Sequence, residues 1–80
     1  MKLQHFEQRE GYRFVLAFET GESREVDLED LLGAYVSLAD LATARIDPDW
    51  KCLEFRDGQV DIDPATLYRY ALELGEQRAA

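Results

Sequence analysis

The acidic residues in the second half of the chain are the first candidates for chemistry. Asp57, Asp61 and Asp63 stand close together, and carboxylates at alternating positions are typical ligands of a calcium loop. A loop of the EF-hand type also needs a central glycine and a distal glutamate. Gly58 instead follows Asp57 directly, and no glutamate closes the loop. We therefore predict no metal site here. Paired-carboxylate hydrolysis is disfavoured as well, because so small a domain offers little concavity.

The single histidine and the single cysteine do not form a catalytic set. His5 falls on a predicted edge strand, where a surface or partly buried position is expected. Cys52 has no histidine or basic helix end near it in the sequence that would lower the pKa of its thiol. The five glycines are dispersed, and no serine stands in a nucleophile elbow. The sequence therefore predicts no catalytic, cofactor-binding or metal-binding residues, and a protein that is not an enzyme.

A hairpin turn followed by a helix cap explains the acidic segment better. Asp57-Gly58 is a dipeptide that favours positive φ in a two-residue hairpin turn. Val60 and Ile62 alternate with aspartates, as in a half-buried strand. Asp63 can accept hydrogen bonds from the first free N–H groups of a helix, and Pro64 fits the first helical position. We interpret these residues as structural.

Similar patterns along the chain predict a single α+β domain over residues 1–80. Alternating apolar residues indicate a small antiparallel sheet of hairpins, and the alternation of Tyr12, Phe14, Leu16 and Phe18 is expected to turn an aromatic face towards the core. Asp27 and Ser37 are predicted to cap short connecting helices. A C-terminal helix from Pro64 to about Glu76 is expected to pack on one face of the sheet. The predicted strands are Lys2–Gln8, Tyr12–Glu19, Arg24–Leu28, Lys51–Arg56 and Gln59–Ile62.

The composition restricts the classes of partner. The chain has 17 aspartates and glutamates against 9 lysines and arginines, a formal net charge of −8. Nucleic-acid affinity comes mostly from basic residues, so we expect no direct DNA or RNA binding. The acidity is compatible with a basic protein partner, and it also simply favours solubility.

No apolar run approaches the roughly 20 residues that span a bilayer, and one cysteine fits a reducing compartment, which predicts a cytoplasmic protein without a membrane segment.

Three features are candidates for protein contacts. Trp50 lies near a predicted turn, where it forms either a half-buried lid on the core or an exposed contact residue. Tyr70 is expected near the rim of the terminal helix, and tyrosine is favoured at interfaces. Lys2–Gln8 is a predicted open edge strand, which favours a weak homodimer or a heterocomplex.

Two longer segments have the pattern of a known family. Tyr12–Glu22 has a strand, an acidic-Gly turn and a return strand, and Asp57–Tyr68 combines Gly, Asp-Ile, Pro and Leu-Tyr. Together they resemble the bacterial domain-of-unknown-function family 2442, over roughly Leu3 to Tyr68. Phe55 takes the position of that family's usual tryptophan.

The resemblance implies a fold more than a function, because the family has no established catalytic residues. Its members often look like partners of a small bacterial protein encoded beside them, in an antitoxin-like arrangement. We therefore hypothesise a non-enzymatic protein-interaction module, antitoxin-like or regulatory, whose partner is a basic toxin-like protein. The alternatives are a small-ligand or metal-binding domain, or an unrecognised enzyme.

Overall fold

Alternating apolar residues produce two antiparallel sheets in the computed structural model, which describes residues 2–78. The first sheet has the strand order β1-β2-β3-β7 and the second has the order β4-β5-β6. The α+β class is confirmed, although the sequence predicted one sheet where the structure has two. The elements are β1 (Leu3–Gln8), β2 (Arg13–Phe18), β3 (Ser23–Asp27), α1 (Glu29–Leu32), a 3₁₀ turn (Ala39–Thr43), β4 (Arg45–Ile46), β5 (Leu53–Phe55), β6 (Val60–Ile62), α2 (Pro64–Leu74) and β7 (Glu76–Arg78).

The core lies between the two sheets and α2. The inward face of β2 was predicted from its aromatic alternation, and its residues from Phe14 to Phe18 are buried at every second position. The ring of Phe14 meets the ring of Phe55 edge-on at 6.2 Å, so these two side chains join the two sheets. The buried apolar residues are Leu3, Phe14, Leu16, Phe18, Val26, Leu28, Leu32, Val36, Leu41, Leu53, Phe55, Ile62, Leu67 and Ala71.

A β-bulge in β1 lets two residues with the wrong spacing share one face. Leu3 pairs with Phe18, whereas His5 pairs with Ala17, so the register shifts by one residue between them. Leu3 and Phe6 consequently both turn towards the core, although strict alternation would place them on opposite faces. His5 is left on the exposed face, as predicted.

Asp27 and Ser37, the predicted caps of the two short helical segments, each lie one position before the N-cap, which is Leu28 for α1 and Leu38 for the 3₁₀ turn. The Asp27 carboxylate accepts from the Glu29 N–H at 2.9 Å, just before α1. The Ser37 hydroxyl accepts from the Asp40 N–H at 3.2 Å, at the start of the 3₁₀ turn. Local polar side chains thus satisfy backbone groups that both segments leave free.

The Asp57-Gly58 dipeptide turns the chain between β5 and β6. The φ angles of Asp57 and Gly58 are +56° and +84°, so the predicted positive φ of Gly58 is confirmed. The Gln59 N–H donates to the Arg56 carbonyl at 3.2 Å, which places the dipeptide at the centre of the turn.

The connection is nevertheless longer than the predicted two-residue hairpin. The last paired residues are Phe55 and Val60, so four residues join the strands. The cause is Arg56, which adopts a φ of +55° and gives its backbone N–H to the Thr43 hydroxyl at 2.8 Å. The Arg56 N–H therefore makes no hydrogen bond in the ladder between β5 and β6.

The predicted cap of the terminal helix is confirmed. The Asp63 carboxylate accepts from the Thr66 N–H at 3.2 Å, and Pro64 occupies the first turn of α2. Pro64 has no N–H to satisfy, and its fixed φ suits a helix start.

Replacement of Asp63 by alanine should lower the free energy of unfolding by about 1 kcal/mol, because a cap of this kind contributes that much. Urea denaturation followed by circular dichroism measures the change. Asp61→Ala is the matched control, since it removes the same charge two positions earlier without removing a cap. An equal loss in both variants would contradict the capping role.

The end of the chain departs from the prediction. The helix was expected to continue to about Glu76, but α2 ends at Leu74 and β7 adds to the edge of β3. Gly75 permits this change of direction, because a Cβ there would lie 2.6 Å from the Ala71 carbonyl oxygen and 3.1 Å from that of Glu25. Leu74, the last residue of α2, is exposed at this end.

Candidate functional site

The structure places Trp50 at the tip of the loop between β4 and β5. The loop is closed by the Asp47 N–H, which donates to the Cys52 carbonyl at 3.0 Å, and by the Lys51 N–H, which donates to the Asp47 carbonyl at 2.9 Å. The Asp47 carboxylate also accepts from the backbone N–H of Trp50 at 2.9 Å. Lys51 takes a left-handed φ of +59°. These contacts fix the loop backbone.

Trp50 is 79% exposed, so the interpretation as a half-buried lid on the core is wrong. The alternative, an exposed contact residue, agrees with this exposure and stays a prediction. The loop is held by hydrogen bonds and not by the ring, so the side chain contributes nothing visible to the core.

Trp50 forms one wall of a shallow hollow of about 290 Å³. The other lining residues are Cys52, Asp61, Asp63 and Pro64. One oxygen of Asp63 is engaged in the helix cap, whereas Asp61 is exposed on β6. We call this surface, formed by Trp50, Cys52, Asp61, Asp63 and Pro64, the Trp50 hollow.

The hollow continues onto an acidic face of the second sheet. Glu54 lies directly across from Arg45 on one side and from Asp61 on the other. Its carboxylate pairs with the Arg45 guanidinium at 3.2 Å and is only 4% exposed. Asp61 therefore stands beside a second carboxylate, and the Arg45 charge is already taken up by Glu54.

The pKa of the Cys52 thiol reflects its burial and the negative charge of this face. Burial raises the pKa of Cys52, and the negative charges of Asp61, Asp47 and Glu54 raise it further. A thiol in this setting stays protonated at neutral pH and is a poor nucleophile. The same potential that opposes a thiolate favours a cation placed in the hollow.

Tyr70, the second predicted contact residue, lies in a different place. It is half-buried and lines a hollow of about 330 Å³ between α2, β3 and the start of α1. Burial and the nearby carboxylates of Asp30 and Asp27 raise the pKa of the Tyr70 hydroxyl. The structure therefore does not bring Trp50 and Tyr70 together.

The remaining candidates do not converge on one site. His5 is on β1 of the first sheet, and Cys52 precedes β5 of the second. Within residues 2–78, no group of three or more His, Cys, Asp or Glu side chains is arranged to hold a metal ion. No helix in that part of the chain is both long and apolar enough to cross a membrane.

The sequence predicted Trp50 as a possible contact residue but gave no contact role to Asp47, Glu54 or Asp61. The usable signal was the alternation of Cys52 and Glu54 with Leu53 and Phe55, which places the two polar residues on the face away from the core. What the sequence did not reveal is that β4 and β6 flank β5 and place Arg45 and Asp61 on either side of Glu54.

The fold and the hollow together define a small α+β domain with an exposed aromatic residue on an acidic sheet face. Comparison with family models gives one assignment: residues 5–73 match the family described as "Protein of unknown function (DUF2442)". The match covers most of the chain, so the chain belongs to this family. Comparison with the curated proteins and with the solved structures gave no match.

Proposed function

We propose that this chain is a non-enzymatic protein-interaction module that binds a basic protein partner at the Trp50 hollow. The observation that carries the proposal is the 79% exposure of Trp50 on a loop whose backbone is otherwise fixed. In this role the chain acts as the antitoxin-like or regulatory partner of a small protein in the cytoplasm.

Exposed tryptophan favours a contact function. A large ring held in water keeps apolar surface exposed, and tryptophan is among the residues most enriched at the energetic centres of protein interfaces. The loop hydrogen bonds of Asp47 order the backbone before a partner arrives, so less conformational entropy is lost on binding.

The charge around Trp50 selects the chemistry of the partner. Asp61 and Asp63 line the hollow together with Trp50, and Asp49 is exposed next to Trp50 in the chain. A lysine or arginine placed on the indole face gains a cation–π contact and lies close to these carboxylates. The net charge of −8 adds a longer-range attraction for a basic protein.

A direct test uses a short peptide rich in lysine and arginine, and a matched peptide with glutamine at each basic position. Isothermal titration at physiological salt should detect binding of the basic peptide only. Trp50→Ala should weaken that binding about tenfold, the size expected for the central residue of an interface. Asp61→Asn should weaken it by a smaller factor, because one exposed charge contributes less.

Two control variants separate this site from general attraction to an acidic protein. Tyr35→Ala removes another exposed aromatic side chain, and Glu10→Gln removes an exposed charge from the hairpin between β1 and β2. Neither should change the affinity by more than about twofold. If all four variants bind alike, the hollow is not the binding site.

A further inference from the structure

We infer that two copies of this chain pair antiparallel through β1, with Phe6 on the two-fold axis, and so join their first sheets into one. The surface is the open edge of β1 in the first sheet, whereas the Trp50 loop joins β4 and β5 of the second, and the inference does not depend on the proposed function.

The edge of β1 offers unpaired backbone groups. The Arg9 N–H donates to the Arg13 carbonyl at 2.7 Å, and this fixes the phase of the ladder. In an antiparallel pair the bonded residues alternate, so Glu7 and His5 bond to β2 while Phe6 and Gln8 point away from it. Within residues 2–78, the outward groups of Phe6 and Gln8 meet no backbone partner, which is the condition for adding another strand.

The other end of β1 limits how far the pairing extends. The Leu3 N–H, which also points outwards, donates to the Lys51 carbonyl at 3.3 Å. That position is therefore occupied, and the open part of the edge runs from the bulge at Gln4 to Gln8. An edge this short fits a weak dimer, below the usual size of a stable interface.

Charge selects the register of the two strands. With Phe6 opposite Phe6, each Glu7 lies across from His5 of the second copy, and its carboxylate can accept a ring N–H from that histidine. Shifting the centre to Glu7 would place two glutamates face to face, which is unfavourable. The first register forms the favourable pair twice, once on each side of the axis.

The core face supports the same register. The Phe6 ring is only partly buried, packs 5.9 Å from the ring of Phe14, and lies at the edge of the core. Two Phe6 rings meeting at the axis would extend the core of each copy, and aromatic pairs across neighbouring strands are stabilising. Because β1 is bulged, Phe6 stands on this face while His5 and Glu7 stand on the other.

Sedimentation equilibrium across chain concentrations up to about the millimolar range tests the inference. The salt should be physiological, where a Debye length of about 8 Å limits repulsion between two chains of charge −8. We expect a reversible monomer–dimer equilibrium. His5→Glu should weaken it at least about threefold, because it sets two pairs of glutamates opposite each other. A strict monomer over the whole range would overturn the inference.

A charge exchange distinguishes the register from a general charge effect. The double variant His5→Glu/Glu7→His restores a glutamate opposite a histidine and should recover the wild-type association. In the register centred on Glu7, residue 5 would instead face Arg9, and His5→Glu would strengthen the dimer. Both residues are exposed, so the variants should fold. Strengthening by the single variant, or no recovery in the double variant, would contradict pairing about Phe6.

Discussion

Replacement of Phe55 by alanine should lower the free energy of unfolding by about 3–5 kcal/mol. Phe55 has no exposed surface, and its ring meets Phe14 edge-on at 6.2 Å. The substitution removes a full aromatic side chain and leaves a cavity between the two sheets. A domain of 80 residues has a total stability of only about 4–12 kcal/mol, so the variant should be partly unfolded at physiological temperature.

Urea denaturation followed by far-ultraviolet circular dichroism measures this loss. Tyr35→Ala is the matched control, since its ring is 66% exposed and its removal should change the stability by no more than about 0.5 kcal/mol. A loss below about 1 kcal/mol for Phe55→Ala would mean that the two sheets do not share the core described above.

Gly58→Val should destabilise the protein by about 1–2 kcal/mol from backbone strain alone. The φ of Gly58 is +84°, in the left-handed region where a β-branched residue is disfavoured. A second cost comes from Glu54, whose carboxylate oxygen lies 3.4 Å from the position of a Cβ at residue 58. The methyl groups of valine reach further than Cβ and would disturb the ion pair between the buried Glu54 carboxylate and the exposed Arg45 guanidinium.

A second glycine separates these two costs. Gly21 also has a positive φ, of +91°, but a Cβ added there meets no atom within 4 Å. Gly21→Val therefore measures strain without a steric contact, and Gly58→Val should cost more. Equal denaturation midpoints for the two variants would show that the turn moves away from Glu54 without penalty.

Local chemistry made part of this structure predictable from sequence. The aromatic alternation of β2, the positive φ of Gly58 and the cap at Asp63 each depend on a few neighbouring residues. Their preferences agree with the final fold, so pattern and structure coincide. Membership of the family was also predictable, because its motifs lie in these same segments.

The features that were missed depend on contacts between distant parts of the chain. The bulge that turns both Leu3 and Phe6 inwards follows from pairing with β2, and the longer turn follows from the bond between Arg56 and Thr43. β7 exists because Gly75 lets the chain approach β3 closely.

The same reason limited the prediction of the candidate site. Trp50 had two plausible environments from sequence, and only the closed loop after β4 shows that its ring faces water. The acidic face was not predicted because it combines Glu54 on β5 with Asp61 on β6, and only the strand pairing places the two side by side.

The exposed position of Trp50 also determines which events tryptophan fluorescence can detect in this protein. Trp50 is the only tryptophan of the chain, so the long-wavelength ultraviolet emission comes from one solvated indole. The indole is exposed to water both in the folded and in the denatured chain, so denaturation should hardly shift its emission maximum. A partner that covers the ring would shift the maximum to the blue. The emission maximum of Trp50 should therefore change little on unfolding and clearly on binding of a partner. Unfolding and binding can then be distinguished with the natural tryptophan, without an added label.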